Sequence, residues 1–355
     1  MHDSSKNGGT TRRAFMAATA ALGVAAATPA AADASSTRRH QKPAKGLRID
    51  AHHHFVPPGY VERGGPLPVF RTWSVQRSLE DMDRAEVDAS VLSVTTPVLQ
   101  VLAEDGNMMS RQLIRRCNDF GAQLVADHPG RFGLFAAIPL TDVEGSLREI
   151  EYAFDTLKAD GIGLFTSYGN QWLGNAAFDP VFAELNRRKA VVYTHPVAPP
   201  WGSAIPQVNI ALIEYGTDTT RAIASMIFAG ASQRYPDVKM IFSHGGGTIP
   251  FLVRRFIREA AGNPALATLL PGGFMPELNR FYFDVAQIPS RPALAALREI
   301  APASRMLFGT DFPYLTAAEH VTGIEQSGLF DTWERRAIDA NIASLLPRLA
   351  ESVAR

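Results

Sequence analysis

The chain has 355 residues, 46% of them hydrophobic and 20% charged, which is the composition of a globular protein with a large core. Lysine plus arginine and aspartate plus glutamate both number 35, so the net charge is zero and no basic field would attract nucleic acid. The only cysteine, Cys117, excludes an intrachain disulfide and a cysteine-rich zinc site. Any bound metal must therefore be held by histidines and carboxylates.

The first 34 residues have the pattern of a twin-arginine (Tat) export signal. Arg12 and Arg13 precede an alanine-rich apolar run over residues 14–27, and the small residues around Ala32 offer a cleavage site. The run is shorter than the roughly 20 residues that span a bilayer. We therefore expect an exported protein, periplasmic or extracellular, with no membrane insertion once residues 1–34 are removed. Residues 35–46 are interpreted as a linker.

From residue 47 onward, short apolar strands alternate with amphipathic helical patterns. The predicted strands are Leu47–Ala51, Ser90–Thr95, Phe132–Ala137, Gly161–Phe165, Val191–Thr194, Lys239–Ser243, Phe281–Asp284 and Met306–Gly309. The predicted helices are Ser78–Glu86, Asn107–Asp127, Val143–Lys158, Asp179–Arg188, Asp218–Arg234, Ile249–Ala261 and Pro292–Ile300. Almost continuously apolar strands are typical of a parallel sheet buried on both faces. The alternation predicts one (β/α)8 TIM barrel over residues 47–355 rather than a doubly wound sheet.

Three long segments interrupt this alternation. The segments Phe55–Thr72 and Pro196–Gly216 follow the C-terminal ends of strands and carry aromatic residues such as Tyr60 and Trp201. We interpret both as candidate lids, since loops at that end of a barrel surround the active site. The third, Gly262–Arg280, is rich in proline and glycine and is interpreted as a surface or dimer arm.

Four of the predicted strands are followed directly by side chains that commonly bind metals or protons. These residues are His52, His54, His195, His244 and Asp311. Residues two apart in a strand share a face, so His52 and His54 can converge on one ion while His53 points to the other side. Because the C-terminal ends of barrel strands meet at one face, the pattern predicts a metal site there.

Each of these residues also has a structural interpretation. His195 could bond a loop backbone, Asp311 could cap a helix, and His244 could be a satisfied buried histidine. The run Gly245–Gly247 could cradle an anion, although close backbone packing is the simpler reading. If all of these structural interpretations were correct, the C-terminal end of the barrel would be lined with unpaired ionisable groups, which is energetically costly. The metal site is therefore favoured.

Five segments carry motifs in and around the strand ends: Ile49–Pro57, Leu79–Asp83, Tyr193–Pro196, Ser243–Gly247 and Phe308–Pro313. They resemble those of the amidohydrolase superfamily, in the branch of aminocarboxymuconate-semialdehyde decarboxylase. Within that branch, residues 159–166 and 185–192 are similar to the 6-methylsalicylate decarboxylases. The similarity runs from about residue 47 to residue 349.

The resemblance implies a role for each site residue. One divalent ion would be bound by His52, His54, His195 and Asp311. His244 would be the acid/base group, and Arg255, donated across a homodimer, would bind a substrate carboxylate. The fourth strand lacks the lysine that holds a second metal in some relatives, so one ion is expected. The arginine expected early in the first helix is displaced to Arg77, with Ser78 in its place, which favours a monocarboxylic substrate.

These residues lead to a functional hypothesis with two rivals. We expect non-oxidative decarboxylation of a hydroxylated aromatic acid of the salicylate type, with the proton supplied by Asp311 or by water relayed through His244. Zinc suits three histidines and one carboxylate, and manganese is the alternative. The same site could instead hydrolyse an ester, lactone or amide. A metal-binding or aromatic-acid-binding protein without activity is the third possibility.

Overall fold

The structure, a computed structural model, describes residues 46–202 and 205–355. One sheet of eight parallel strands runs in the order β1 to β8, so each strand pairs with the next along the chain. The strands are β1 Ile49–His54, β2 Ala89–Ser93, β3 Phe132–Ala137, β4 Gly161–Phe165, β5 Val191–His195, β6 Lys239–Phe242, β7 Tyr282–Asp284 and β8 Met306–Leu307. The predicted signal peptide, residues 1–34, and all but the last residue of the predicted linker, 35–46, lie outside the described residues.

Backbone hydrogen bonds between β1 and the segment around β8 close the sheet into a barrel. The amide of Ala51 donates to the carbonyl oxygen of Phe308 at 2.9 Å, and the amide of Asp311 donates to that of His52 at 2.8 Å. Closure removes the free edges that an open sheet would have. The predicted (β/α)8 barrel is confirmed.

Helices follow the strands along the chain. They are α1 Pro68–Arg71, α2 Val75–Arg84, α3 Thr96–Leu102, α4 Arg111–Asp127, α5 Val143–Glu151, α6 Asp179–Arg187, α7 Gly216–Phe228, α8 Ala231–Arg234, α9 Ile249–Gly262, α10 Phe274–Leu278, α11 Arg291–Arg298, α12 Ala317–Ser327, α13 Thr332–Leu345 and α14 Pro347–Val353. Caps explain two shifted boundaries: Ser74 and Ser110 each accept a backbone N–H three residues later, so α2 starts earlier and α4 later than predicted. The helix predicted over 218–234 is interrupted at Gly230, whose φ is 69°.

Apolar side chains fill the N-terminal end of the barrel. The strand residues of one buried cluster are Ile49, Ala51, Ala89, Val91, Phe135, Val191, Tyr193, Ile241 and Leu307. The rings of Phe135 and Tyr193 stack with centroids 5.2 Å apart. Ile342 of α13 and Leu346, between α13 and α14, join the same cluster and seal this end. The barrel is therefore a packed core, which leaves its C-terminal end for chemistry.

The two candidate lids differ in packing. In the first, Tyr60 and Phe70 are fully buried and their rings meet edge to face at 5.7 Å, so this segment is part of the folded body. In the second, Trp201 is 53% exposed, and the turn Ala211–Tyr215 leads into α7. Within the described part of the chain, no helix combines the length and the apolar character needed to cross a membrane.

Candidate metal centre

Four of the predicted side chains meet at the C-terminal end of the barrel. His52, His54, His195 and Asp311 are buried, and their potential ligand atoms all lie within 4.8 Å of one another. The Nε2 atoms of His52 and His54 are 3.1 Å apart. Asp311 Oδ1 lies 2.8 Å from His54 Nε2 and 3.1 Å from His52 Nε2. The structure thus brings together every residue predicted to bind the ion, and their role as ligands stays a prediction.

A bulge in β1 aims the two neighbouring histidines into the barrel. The register with β2 shifts by one residue between Asp50 and His53. Within this irregular stretch Ala51 packs in the apolar cluster of the interior, and His52 belongs with His54 to the candidate metal site. His53 points outward, as predicted, and stacks on Phe312 with ring centroids 4.6 Å apart. Bulges beside active sites commonly redirect side chains in this way.

The outward face of β1 is clamped to the loop that carries Asp311. His53 Nδ1 donates to Asp50 Oδ2 at 3.0 Å, and its Nε2 accepts from the Ser78 hydroxyl at 3.1 Å. The same carboxylate accepts the Thr310 hydroxyl at 2.6 Å and the Thr310 amide at 3.0 Å. All four residues are buried. These hydrogen bonds fix the position of Thr310. They therefore also hold Asp311, the residue after Thr310, beside His52 and His54.

Each histidine of the cluster uses its other ring nitrogen to bond the protein. The three pairs are His52 Nδ1 with Asp284 Oδ2 (2.9 Å), His54 Nδ1 with Ser93 Oγ (3.1 Å) and His195 Nδ1 with the Pro196 carbonyl oxygen (2.8 Å). These bonds place the ring hydrogen on Nδ1 and leave Nε2 as an electron-pair donor. Such outer bonds are the usual way in which proteins orient metal-binding imidazoles.

The cluster fits a divalent cation. Two imidazole Nε2 atoms and one carboxylate oxygen approach within about 3 Å of one another, and three electron-pair donors at this distance repel unless a proton or a metal cation lies between them. Burial alone would lower the pKa of His52, but Asp284 and Asp311 outweigh it and raise that pKa to about 10. Burial lowers the pKa values of His54 and His195. The two carboxylates therefore favour a positive charge at His52, while burial favours the neutral form of His54 and His195.

Asp284, at the end of β7, connects the cluster to the neighbouring strand. Its Oδ2 accepts from His52, while its Oδ1 accepts the backbone amides of His244 at 2.9 Å and Ala286 at 3.1 Å. Both Asp284 and His52 are fully buried. The predicted strand Phe281–Asp284 ends at this residue, and an aspartate at a strand end is the same signal that identifies Asp311, although no role is predicted for Asp284 from the sequence.

Replacing Asp284 by asparagine is expected to weaken metal binding by about 10- to 100-fold, the usual effect of losing such an outer partner. An amide nitrogen facing His52 Nδ1 would favour the tautomer that carries hydrogen on Nε2, which cannot bind the ion. The measurement is zinc content after dialysis against a zinc buffer. Asp83→Asn, which removes a surface carboxylate paired with Arg131, is the control and should bind as the unaltered chain does. Equal zinc content in both variants would contradict the prediction.

His244 follows β6 and lies over the cluster. Its ring stacks on His52 with centroids 5.1 Å apart, and its Nε2 lies 3.4 Å from Asp311 Oδ2. That distance is long for a hydrogen bond, and the buried Nε2 atom has no hydrogen-bond partner among the described residues. The backbone of His244 is left-handed, with φ 55°. A buried ring nitrogen without a hydrogen bond, beside a candidate metal site, is placed to exchange a proton with a bound molecule.

The glycines after His244 serve packing. Gly247 has φ 68°, and a Cβ atom there would lie 1.9 Å from the Gly216 carbonyl oxygen at the start of α7. No side chain other than hydrogen fits this contact. Of the two interpretations of Gly245–Gly247, close backbone packing accounts for the geometry.

Two phenol side chains lie beside the cluster. The ring of Tyr215 lies 6.2 Å from that of His195, and the ring of Tyr314 lies 6.4 Å from that of His54. Both tyrosines are half-buried, and burial raises the pKa of each above its usual value. Phe70 packs against Tyr314 at 5.2 Å. The surroundings are therefore aromatic, with neutral hydroxyls as hydrogen-bond donors.

The arginines singled out in the sequence lie away from the cluster. Arg255 is exposed on α9, eleven residues after His244, and forms no ion pair within residues 46–202 or 205–355. Arg77 donates to the Thr72 carbonyl oxygen at 2.6 Å and is exposed as well. Ser78, in its place, is buried against His53. A single chain therefore brings no arginine from these two positions to the site.

The chain belongs to the amidohydrolase family, whose model matches residues 49–346. Among relatives, it is 35% identical over 321 residues to the 6-methylsalicylic acid decarboxylase of Penicillium expansum, covering 85% of this chain and 97% of the relative. It is 36% identical over 286 residues to decarboxylase macB of Penicillium terrestre, covering 75% and 84%. The family and branch predicted from the strand-end motifs are confirmed.

The fold recurs in a dihydroxybenzoic acid decarboxylase from Polaromonas, solved with bound manganese and the inhibitor 2-nitroresorcinol. The TM-score is 0.70 at 21% identity, with 85% of this chain and 97% of that chain covered. At this identity the likeness concerns the fold. It agrees with the closed barrel of eight parallel strands described above.

Proposed function

We propose that the chain is a metal-dependent, non-oxidative decarboxylase of a hydroxylated aromatic carboxylic acid of the salicylate type. The observation that carries the proposal is the cluster of three imidazoles and Asp311 beside the unpaired Nε2 of His244. The similarity to a 6-methylsalicylic acid decarboxylase along 97% of its length supports this reaction over hydrolysis by the same residues.

The residues that would hold the ion are His52, His54, His195 and Asp311. When bound, a divalent ion supplies a positive charge that binds and orients the carboxylate and the ortho-hydroxyl group of the acid. We propose zinc first, because three nitrogens and one carboxylate suit it. Manganese, present in the Polaromonas enzyme, is the alternative.

Decarboxylation requires a proton at the ring carbon that carries the carboxylate. Once it is added, the carbon–carbon bond breaks, its electron pair returns to the ring and CO2 leaves. His244 Nε2 can deliver this proton, since it makes no hydrogen bond in the described chain and its contact with Asp311 Oδ2 is long, at 3.4 Å. Asp311 Oδ2 already accepts a hydrogen bond from the Gln287 side chain at 2.8 Å. We therefore assign the proton transfer to His244 and the charge at the cluster to Asp311.

The surroundings of the cluster support a monocarboxylic ring as substrate. The half-buried phenols of Tyr215 and Tyr314 can face a flat ring and donate to its hydroxyl or carboxylate oxygens. At the position where a second carboxylate would be recognised, Ser78 is bonded to His53 and Arg77 to Thr72. A dicarboxylic acid would find no cation there.

We propose that the protein acts as a homodimer in which Arg255 of one chain completes the site of the other. Around Arg255, α9 exposes Arg254, Arg258 and Phe251, whose side chain is 75% exposed. Leu212, on the segment after β5, is 77% exposed. Large apolar side chains beside unpaired arginines are frequent at interfaces between proteins.

Arg255→Ala is expected to raise the KM for salicylate-type acids by about 10- to 100-fold, since a charge-assisted contact to a carboxylate is lost. Arg254→Ala is the control and should leave KM near that of the unaltered chain. Co-expression of Arg255→Ala chains with His195→Ala chains distinguishes an arginine that acts across the dimer from one that acts within its own chain. If the arginine acts across the dimer, mixed dimers contain one intact site and recover activity, whereas mixtures without recovery would exclude it.

We also propose export through the twin-arginine route, which rests on residues 1–34 alone. Fusion of this segment to a reporter tests it: replacement of both Arg12 and Arg13 by lysine should retain the reporter in the cytoplasm. Delivery of the doubly substituted reporter outside the cell would contradict a twin-arginine signal.

The decisive test of function is an assay of the zinc- or manganese-loaded protein with salicylate-type acids and with a panel of lactones and esters. We expect CO2 release from an ortho-hydroxylated benzoic acid, with deuterium on the ring carbon when the reaction runs in D2O. Removal of the metal by a chelator should abolish the reaction, and its return should restore it. Turnover of lactones alone would replace the proposed function by hydrolysis, and tight binding without turnover would indicate a binding protein.

A further inference from the structure

Gln287, three residues after the end of β7, has an unusual backbone conformation. Its φ is 61°, a left-handed value that costs free energy for a residue with a long side chain. Such strain persists only where surrounding contacts maintain it. The side chain of Gln287 is directed at the candidate metal site, and its Nε2 donates to Asp311 Oδ2 at 2.8 Å.

A buried histidine maintains this conformation. The backbone amide of Gln287 donates to Nε2 of His320 at 3.1 Å, and His320 Nδ1 donates to the Thr316 carbonyl oxygen at 3.0 Å. His320 is fully buried on α12, whose first turn is fixed by a capping box between Thr316 and Glu319. Burial lowers the pKa of His320, so its ring is neutral and one nitrogen can accept. The reaction assigned above makes no use of this histidine.

The two oxygens of Asp311 consequently have different partners. Oδ1 faces the Nε2 atoms of His52 and His54, at 3.1 and 2.8 Å, while Oδ2 is held by the Gln287 amide. A carboxylate held in this way offers one oxygen to the cluster. Without the amide it could rotate and offer both, or turn Oδ2 fully to His244, whose Nε2 is 3.4 Å away.

We propose that Gln287, held in its left-handed conformation by His320, is a positioning residue that makes Asp311 bind the metal through Oδ1 alone and keeps His244 free for proton transfer. The inference rests on the proposed metal site. It adds a function to two residues that belong neither to the cluster nor to the acid/base pair.

Gln287→Asn is the direct test. Asparagine is among the residues that best tolerate a left-handed conformation, so the fold should be retained, but its amide is one methylene too short to reach Asp311. Gln287→Gly, which relieves the strain and removes the amide, is the second variant. Lys189→Asn is the matched control, because Lys189 has φ 53° but lies exposed before β5, at the other end of the barrel.

The readouts separate positioning from simple stabilisation. Cobalt(II), bound in place of the proposed ion, is the spectroscopic probe, and its visible absorption reports the coordination number without any substrate. We expect both Gln287 variants to keep the melting temperature and one cobalt per chain, yet to change the cobalt spectrum and to lower kcat about 10-fold with a smaller change in KM. The control should match the unaltered chain in all five measurements.

An unchanged cobalt spectrum together with kcat within a factor of two of the unaltered chain would overturn the proposal. A lowered melting temperature with an unchanged spectrum would likewise assign Gln287 to stability only. Because the spectrum needs only the metal, failure of the proposed decarboxylation leaves this test intact. If the protein binds no cobalt at all, the inference fails together with the metal site.

Discussion

Replacing Asp311 by asparagine is expected to remove stoichiometric metal and to lower kcat/KM for a salicylate-type acid by about 10³-fold or more. Asp311 is the only anion in the cluster of ligand atoms, and its Oδ1 lies within 3.1 Å of two imidazole nitrogens. Its pKa is held well below the usual range, because the nearby His52 and His244 outweigh the effect of burial. The residue is therefore a permanent negative charge that balances a cation.

The fold should survive this replacement. Asp311 has φ 60°, which asparagine adopts as readily as aspartate, and its backbone amide still donates to the His52 carbonyl oxygen. The measurements are metal content, the far-ultraviolet circular dichroism spectrum and CO2 release. Asp83→Asn serves as the control, since it also removes one carboxylate but on the surface. A folded variant that keeps full metal and activity would show that Asp311 neither binds the ion nor takes part in the reaction.

The sequence predicts the barrel and the cluster because both depend on local patterns. The strands are continuous apolar runs, and their order along the chain is their order in the sheet. His52, His54, His195 and Asp311 each sit where such a run ends, and parallel strands in a closed barrel necessarily bring those ends together. Despite the bulge in β1, His53 points to the opposite side from His52 and His54, as predicted.

Features that depend on tertiary contacts cannot be predicted from local sequence patterns. Nothing in the local pattern around Gln287 indicates a left-handed residue directed at Asp311, because that conformation is imposed by His320 from α12. The helices after β8 were not predicted either. Helix α13 buries only Ile338 and Ile342 among its fourteen residues and contacts the barrel end, so its own apolar pattern is weak.

Replacing His244 by asparagine is expected to lower kcat by about 10²- to 10⁴-fold, the usual contribution of a positioned proton donor. The buried Nε2 of His244 makes no hydrogen bond in the described chain, its contact with Asp311 Oδ2 is 3.4 Å long, and the side chain is 11% exposed. Asparagine tolerates the left-handed conformation at φ 55° and keeps the amide that bonds Asp284. Metal content should therefore stay at that of the unaltered chain, in contrast to Asp311→Asn.

Added imidazole distinguishes a proton donor from a residue that only shapes the pocket. Because the substitution leaves space beside His52, where the His244 ring now stacks, a free imidazole should enter and restore part of the lost rate. His128→Asn, which removes a partly buried imidazole packed on Phe132 at the other end of the barrel, should keep full activity and show no response to imidazole. If His244→Asn retains metal and the full rate of CO2 release, the proton must reach the ring from another group, and Asp311 Oδ2 becomes the candidate.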